Sequence, residues 1–203
     1  MEVRRDLSSG AEPVTSLLPR EGTVTYTPGF LPPPVADATL LRLRDELDWR
    51  AESARFFGRA VALPRLTAWY GPVPYAYSGV FHDAAAPPPL LAQLAQDLAA
   101  LAPGLDCVLA NRYRSGADKM GLHADDEALW GANPTIVSLS FGAARRFVFR
   151  HRRSRERVEI VLEHGSLLLM GGETQRHWLH ALPGTARPVG ERINLTFRRL
   201  ALR

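Results

Sequence analysis

Leucines recur at helical spacing twice in the first half of the chain. From Asp37 to Trp49, Leu40, Leu43 and Leu47 share one stripe with aspartates and arginines between them, which predicts an amphipathic helix after Pro32–Pro34. A second helix opens at Pro87–Pro89. Its apolar stripe is Leu90, Leu91, Leu94, Leu98 and Leu101, and Pro103-Gly104 stops it. From residue 107 the period changes to that of strands. Thr135–Phe141, Arg146–Arg150, Arg157–Leu162, Ser166–Met170 and Arg192–Phe197 are expected strands, with a short one at Thr23–Tyr26. The polar stretch from His151 to Glu156 makes Arg146–Leu162 a hairpin. The pattern as a whole predicts a mainly β fold with flanking helices and a sandwich or barrel-like core. Residues 1–22 have no sustained periodicity and are expected to form a flexible arm, with residues 23–203 as a single domain.

Composition narrows the class. A chain of 203 residues, 46% hydrophobic and 23% charged, is ordinary for one globular domain. No apolar run approaches the ~18 residues of a membrane span. The first twenty residues mix Arg4 and Arg5 with Glu2, Asp6 and Glu12, unlike a secretory signal. Cys107 is the one cysteine, so an intramolecular disulfide or multi-cysteine zinc site is excluded. A cytoplasmic monomer is expected, with no membrane partner. Charge adds a direction. Residues 1–110 carry a net −3 and residues 111–203 a net +7, and seven arginines fall between Arg145 and Arg157 with only Glu156 opposing them. Such a cluster can hold phosphates by counterion release. A solvated hairpin tip accounts for it equally well.

Two local patterns suggest chemistry. In His123-Ala124-Asp125, residues two apart would share a face if the segment is a strand, so an imidazole and a carboxylate converge. A second histidine from a distant strand would complete the two-histidine, one-carboxylate facial site of non-haem Fe(II) oxygenases. His177 and His180 both qualify, and spacing does not choose between them. His164 beside a glycine turn reads as structural, and His82 and His151 as exposed. The final strand alternates strictly. Ile193, Leu195 and Phe197 face one way, and Arg192, Asn194, Thr196 and Arg198 the other. If the polar face lines an interior, two arginines need an anionic partner there, and a dicarboxylate would serve.

Together these segments resemble the AlkB family of alkylated-nucleic-acid repair dioxygenases, closest to its branch active on double-stranded DNA. The matching text is Asn111-Arg112-Tyr113, His123-Ala124-Asp125-Asp126-Glu127, Ser138-Leu139-Ser140-Phe141-Gly142, and Phe147-Val148-Phe149-Arg150-His151. It continues through His164-Gly165-Ser166-Leu167-Leu168, His177-Trp178-Leu179-His180 and Arg192 to Arg198. The likeness runs from about Asp106 to Leu200, with weaker support across residues 53–79.

The resemblance implies a double-stranded β-helix (jelly roll) core over about 107–200, N-terminal helices and a nucleotide-recognition lid at about 53–80. It implies Fe(II), with 2-oxoglutarate and O₂ as cosubstrates. His123, Asp125 and His180 match the iron ligands, which selects His180 over His177. Asn111, Tyr113, Arg192, Thr196 and Arg198 match the 2-oxoglutarate contacts. Phe57 resembles a wedge that enters the duplex, with Gly58 and Arg59 beside it. Tyr75 and Tyr77 match positions that contact or stack on a flipped base, and Asp126 matches a substrate-contacting carboxylate. The implied activity is oxidative dealkylation of 1-methyladenine- and 3-methylcytosine-type bases in DNA, releasing formaldehyde and succinate. The alternatives are a same-fold dioxygenase acting on RNA, protein or a small molecule, and a non-catalytic nucleic-acid-binding module. One departure is Gly171-Gly172-Glu173-Thr174, where related proteins often carry Asn-His-Pro.

Overall fold

The computed structural model describes residues 16–56, 59–77 and 79–201. In chain order the elements are β1 (Thr23–Thr27), α1 (Pro33–Glu46), β2 (Arg50–Phe56), β3 (Arg59–Tyr70), β4 (Tyr75–Tyr77), β5 (Val80–His82) and α2 (Pro89–Asp97). They continue with β6 (Cys107–Tyr113), β7 (Met120–His123), β8 (Ile136–Gly142), β9 (Arg145–His151) and β10 (Arg157–Leu162). The last are β11 (Ser166–Gly171), the short helix α3 (Thr174–His177), β12 (Trp178–Leu182) and β13 (Arg192–Arg198). A seven-stranded sheet runs β1-β11-β8-β13-β6-β3-β2, a four-stranded sheet runs β10-β9-β12-β7, and β4-β5 pair alone. The two larger sheets form the jelly-roll core. Among the described residues no helix is long and apolar enough to cross a membrane.

Alternation in the central strands decides the architecture. On β13, Ile193, Leu195 and Phe197 join Val137, Leu139 and Phe141 of β8 in one core with Leu43 of α1 and Leu91 and Leu94 of α2. Their polar neighbours, Ser138, Ser140, Asn194 and Thr196, therefore sit on the opposite face, between the sheets. Both main helices start at prolines, whose fixed φ and missing N–H suit a first turn. The second helix is shorter than its leucine stripe predicts. It ends at Asp97; Leu98 is still buried in the following turns, but Leu101 is 39% exposed.

Residues 16–22 do not behave as the loose arm expected of residues 1–22; residues 1–15 lie outside those described. Leu18 is buried with Val24, Phe149 and Trp178, and Trp178 Nε1 donates to the Arg20 carbonyl at 3.1 Å. This segment covers His151, which is 4% exposed rather than solvated as expected. His151 Nδ1 accepts the Ser154 amide at 3.0 Å, so its proton sits on Nε2 and is donated to Glu21, 2.7 Å away. His82 is likewise buried, against Glu52 at 3.3 Å. His164 is structural as expected, its Nδ1 accepting the Gly142 amide at 2.8 Å. Cys107 is buried. The arginine cluster divides. Arg145 turns inward and donates to the carbonyls of Ser115, Asp118 and Pro183, while Arg146, Arg152, Arg153, Arg155 and Arg157 are exposed.

Gly142 ends β8 at φ +86°, and a Cβ there would meet the Glu191 carbonyl oxygen at 2.3 Å. Gly142→Ala should cost about 2 kcal/mol or more, from left-handed strain plus the clash. A lowered melting temperature in calorimetry, by about 4 °C or more, checks this.

Candidate metal and anion site

A cavity between the sheets is lined from both sides, by Asn111 and Tyr113 of β6, His123 of β7, His180 of β12, and Arg192 and Arg198 of β13. His123 and His180 are directly opposed in the β7–β12 pairing, with ring centroids 4.2 Å apart. Asp125 is not on the strand, as a shared strand face would require. β7 ends at His123, and Asp125 sits in the loop beyond it. It is fixed there by two partners: its amide donates to Gln175 Oε1 at 3.0 Å, and its carboxylate accepts from Arg198 Nη2 at 2.8 Å. The donor atoms of His123, Asp125 and His180 all lie within 4.8 Å of one another. His177 is not part of this group; it lies near Glu21 and Glu173, at 3.7 Å from each.

Electrostatics suit a cation at that point. Burial lowers both imidazoles, His180 to about 3, which keeps them in the neutral form that ligates metals. Burial alone would raise the Asp125 carboxyl, but the Arg198 guanidinium 2.8 Å away outweighs it and holds the carboxyl below its usual range. Burial also raises the Tyr113 hydroxyl, so it stays protonated and able to donate. Two neutral imidazoles and one carboxylate, with no fourth protein donor in the group, leave coordination positions open, as a non-haem iron site requires.

The other end of the cavity suits an anion. Arg192 is 1% exposed. One guanidinium nitrogen donates to Ser140 Oγ at 2.9 Å, the group lies 5.4 Å from the Tyr113 ring centroid, and Nε has no partner among the described residues. Arg198 is 2% exposed, 5.1 Å from the Trp130 ring centroid, with Nε and Nη1 unpartnered among the described residues. Two buried guanidiniums thus share the cavity with one carboxylate. Unused N–H groups on buried cations are costly unless an anion takes them. A dicarboxylate fits both the charge and the donors. Thr196 completes the polar stripe, donating to Asn194 Oδ1 at 3.2 Å, while Asn194 donates to Ser138 Oγ and the Leu139 carbonyl at 2.8 Å each.

The expected substrate contacts are placed less uniformly. Phe57 and Gly58 lie outside the described residues, as do the side chains of Arg59 and Tyr77. Tyr75 is described and is not on an open face. It is 2% exposed, stacked on Trp69 at 4.6 Å, and its hydroxyl donates to Glu127 at 3.1 Å. Asp126 is open to solvent and paired with Arg152 of the β9–β10 turn at 2.6 Å. The sequence assigns no role to Gln175, nor to Ser138 and Ser140 beyond their place in the matching text. The serines were detectable from the alternation of Ile136–Gly142, whereas nothing local marked Gln175. It directly follows the departing Gly171–Thr174 segment, and Thr174 Oγ1 itself accepts the Thr23 amide at 3.0 Å.

A family model described as the 2OG-Fe(II) oxygenase superfamily matches residues 23–198. The chain is 37% identical over 186 residues to alpha-ketoglutarate-dependent dioxygenase alkB homolog 3 of Bos taurus, covering 86% of this chain and 65% of that protein. It is 36% identical over 181 residues to DNA oxidative demethylase ALKBH2 of Homo sapiens, covering 82% of this chain and 69% of that protein. For ALKBH2 of Mus musculus the identity is 37%, covering 81% of this chain and 75% of that protein. The chain spans just under two thirds of the length of the alkB homolog 3 relative. The solved structure of OsALKBH1 superposes with a TM-score of 0.64 at 17% identity, covering 87% of this chain and 97% of that one, which is a likeness of fold. With the family model spanning β1 to β13 and these relatives matching over four fifths of the chain, the protein belongs to the 2OG-Fe(II) oxygenase superfamily and, within it, to the AlkB family.

Proposed function

We propose that this protein is an Fe(II)- and 2-oxoglutarate-dependent dioxygenase that dealkylates N-alkylated bases in DNA. The observation that carries the reading is the three-donor group of His123, Asp125 and His180 beside two buried arginines with unused N–H groups. His123, Asp125 and His180 would hold Fe(II), and Arg192, Arg198, Asn111, Tyr113 and Thr196 would hold 2-oxoglutarate. When bound, these groups supply O₂ activation, coupling oxidation of 2-oxoglutarate to succinate and CO₂ with hydroxylation of the N-alkyl carbon, which then leaves as formaldehyde. The chain's own part is placement and exclusion of water. Arg198 holds the Asp125 carboxylate in one orientation, and Gln175 fixes the backbone beneath it. Asp126 would offer negative charge to a base made cationic by N-methylation once its exposed pair with Arg152 opens, and such a base is cheaper to extrude because its pairing is already lost. The exposed arginines after Arg145 would lie along the phosphates.

The test is formaldehyde release from methylated single- and double-stranded DNA and RNA, with Fe(II) and 2-oxoglutarate supplied. No release from any strand form rejects the reading. The burial of Tyr75 against Trp69 favours a second one, an oxygenase of the same fold acting on a protein or small molecule, and turnover of such a substrate in preference to methylated DNA would establish it. Phe57→Ala separates the wedge role from core packing. Duplex activity should fall about tenfold or more, the worth of one lost aromatic stack, with single-strand activity falling less. Equal losses on both strand forms would remove the wedge.

A further inference from the structure

Arg65 belongs to none of the groups above, yet it is a 4%-exposed cation on β3, hydrogen-bonded to Asn111 of the cavity wall. β3 pairs with β6 so that Thr67 faces Asn111 and Leu66 faces Arg112. Arg65, two residues before Thr67, is therefore the diagonal neighbour of Asn111 on the same face. Its Nε donates to Asn111 Oδ1 at 2.9 Å, in a fully buried bond. A guanidinium has only donors, so the amide atom it meets must be the oxygen. This fixes the flip of the Asn111 amide on chemical grounds. Nδ2 has no protein acceptor among the described residues, and Asn111 lines the cavity. A ligand anion there meets an N–H rather than a carbonyl.

We infer that Arg65 is a positioning residue: it locks the Asn111 amide with its NH₂ turned to the cavity, where it donates to an oxygen of the bound dicarboxylate. The inference rests on the functional reading above for the identity of that anion. Without Arg65 the amide can flip and present Oδ1 to an anion, replacing an attraction by a repulsion. Arg65 is too buried to act on nucleic-acid phosphates itself. It also joins β3, in the segment expected to carry the lid, to β6 beside the cosubstrate.

The experiment is calorimetric titration of 2-oxoglutarate into the Mn(II)-loaded full chain, with no turnover involved. Arg65→Met keeps the apolar stem and removes the donors, and should weaken binding about 10–100-fold, the worth of a charge-assisted hydrogen bond. Arg65→Lys should recover part of that loss. Against an Asn111→Ala background, Arg65→Met should cost nothing further, because the amide it orients is gone. Circular dichroism of each variant verifies folding, and Arg65→Lys carries the test if Arg65→Met does not fold. A wild-type chain that fails to bind 2-oxoglutarate overturns the functional reading. A wild-type chain that binds, with Arg65→Met and Arg65→Lys binding equally well, overturns the role of Arg65 alone. A full Arg65→Met loss persisting in Asn111→Ala also overturns it, since Arg65 would then act independently of the amide.

Discussion

His123→Ala should abolish formaldehyde release from methylated oligonucleotides, to on the order of 10⁻³ of wild type or less. The convergent group has three donors, and among the described residues no fourth His, Cys, Asp or Glu stands ready to replace one. His177 cannot substitute, because it sits with Glu21 and Glu173 near the segment packed on His151. Two remaining ligands would hold iron weakly and without the facial geometry that leaves adjacent positions for cosubstrate and O₂. Iron content of the reconstituted protein should drop in parallel with activity. His123→Ala with near-normal turnover and iron content would refute the metal assignment. Asp125→Ala is a less clean probe. It removes the carboxylate that pairs with buried Arg198, and breaking a buried pair from one side destabilises by about 3–5 kcal/mol. Activity lost that way would not distinguish a missing ligand from a damaged fold.

The parts of this site that were legible in the sequence are those written as local periodicity. The alternation of Arg192–Arg198 reports which side chains meet the helices and which meet the cavity, because a strand has only two faces. Ser138 and Ser140 follow the same rule on the neighbouring strand, opposite Thr196 and Asn194. Local spacing could not separate His177 from His180, since both follow the same buried strand. The distinction lies in the pairing of β12 with β7, which sets His180 opposite His123 and leaves His177 in α3. Family resemblance reached the same residue by another route. Burial of His82, His151 and Arg145 was illegible for a related reason. Each is a polar side chain with no local signal of burial, and each is covered by chain distant in sequence: Glu52 of β2, Glu21 before β1, and the carbonyls around Ser115 and Pro183. Asp125 illustrates a third kind of failure. The assumption of a continuous strand placed it correctly beside His123, although the strand stops at His123 and a glutamine and an arginine do the placing.

Arg192→Met should raise the stability of the ligand-free protein while removing its affinity for 2-oxoglutarate. Arg192 is almost wholly buried, and among the described residues Ser140 is its one side-chain hydrogen-bond partner, with a tyrosine face beside it and no carboxylate in contact. Burial pushes its pKa down to about 10. A pKa lowered from 12.5 means that the folded state disfavours the charged form, a cost on the order of 3 kcal/mol at neutral pH. The sign follows from linkage. The penalty is fully present below about pH 10 and fades as pH rises toward the unfolded value, because only then does the guanidinium discharge. Methionine fills similar space without the charge, so the variant should melt higher, by ~2–4 °C for each kcal/mol recovered in a chain of this size. The same substitution deletes one of the two buried cations proposed to hold 2-oxoglutarate. In wild type, millimolar 2-oxoglutarate should therefore raise the melting temperature, and in Arg192→Met it should not. Such opposed signs, a gain in the empty protein and a loss in the loaded one, mark a residue kept for its ligand at the expense of the fold. A variant that melts lower than wild type without ligand would show instead that Arg192 is a structural cation, and the anion site would have to rest on Arg198 alone.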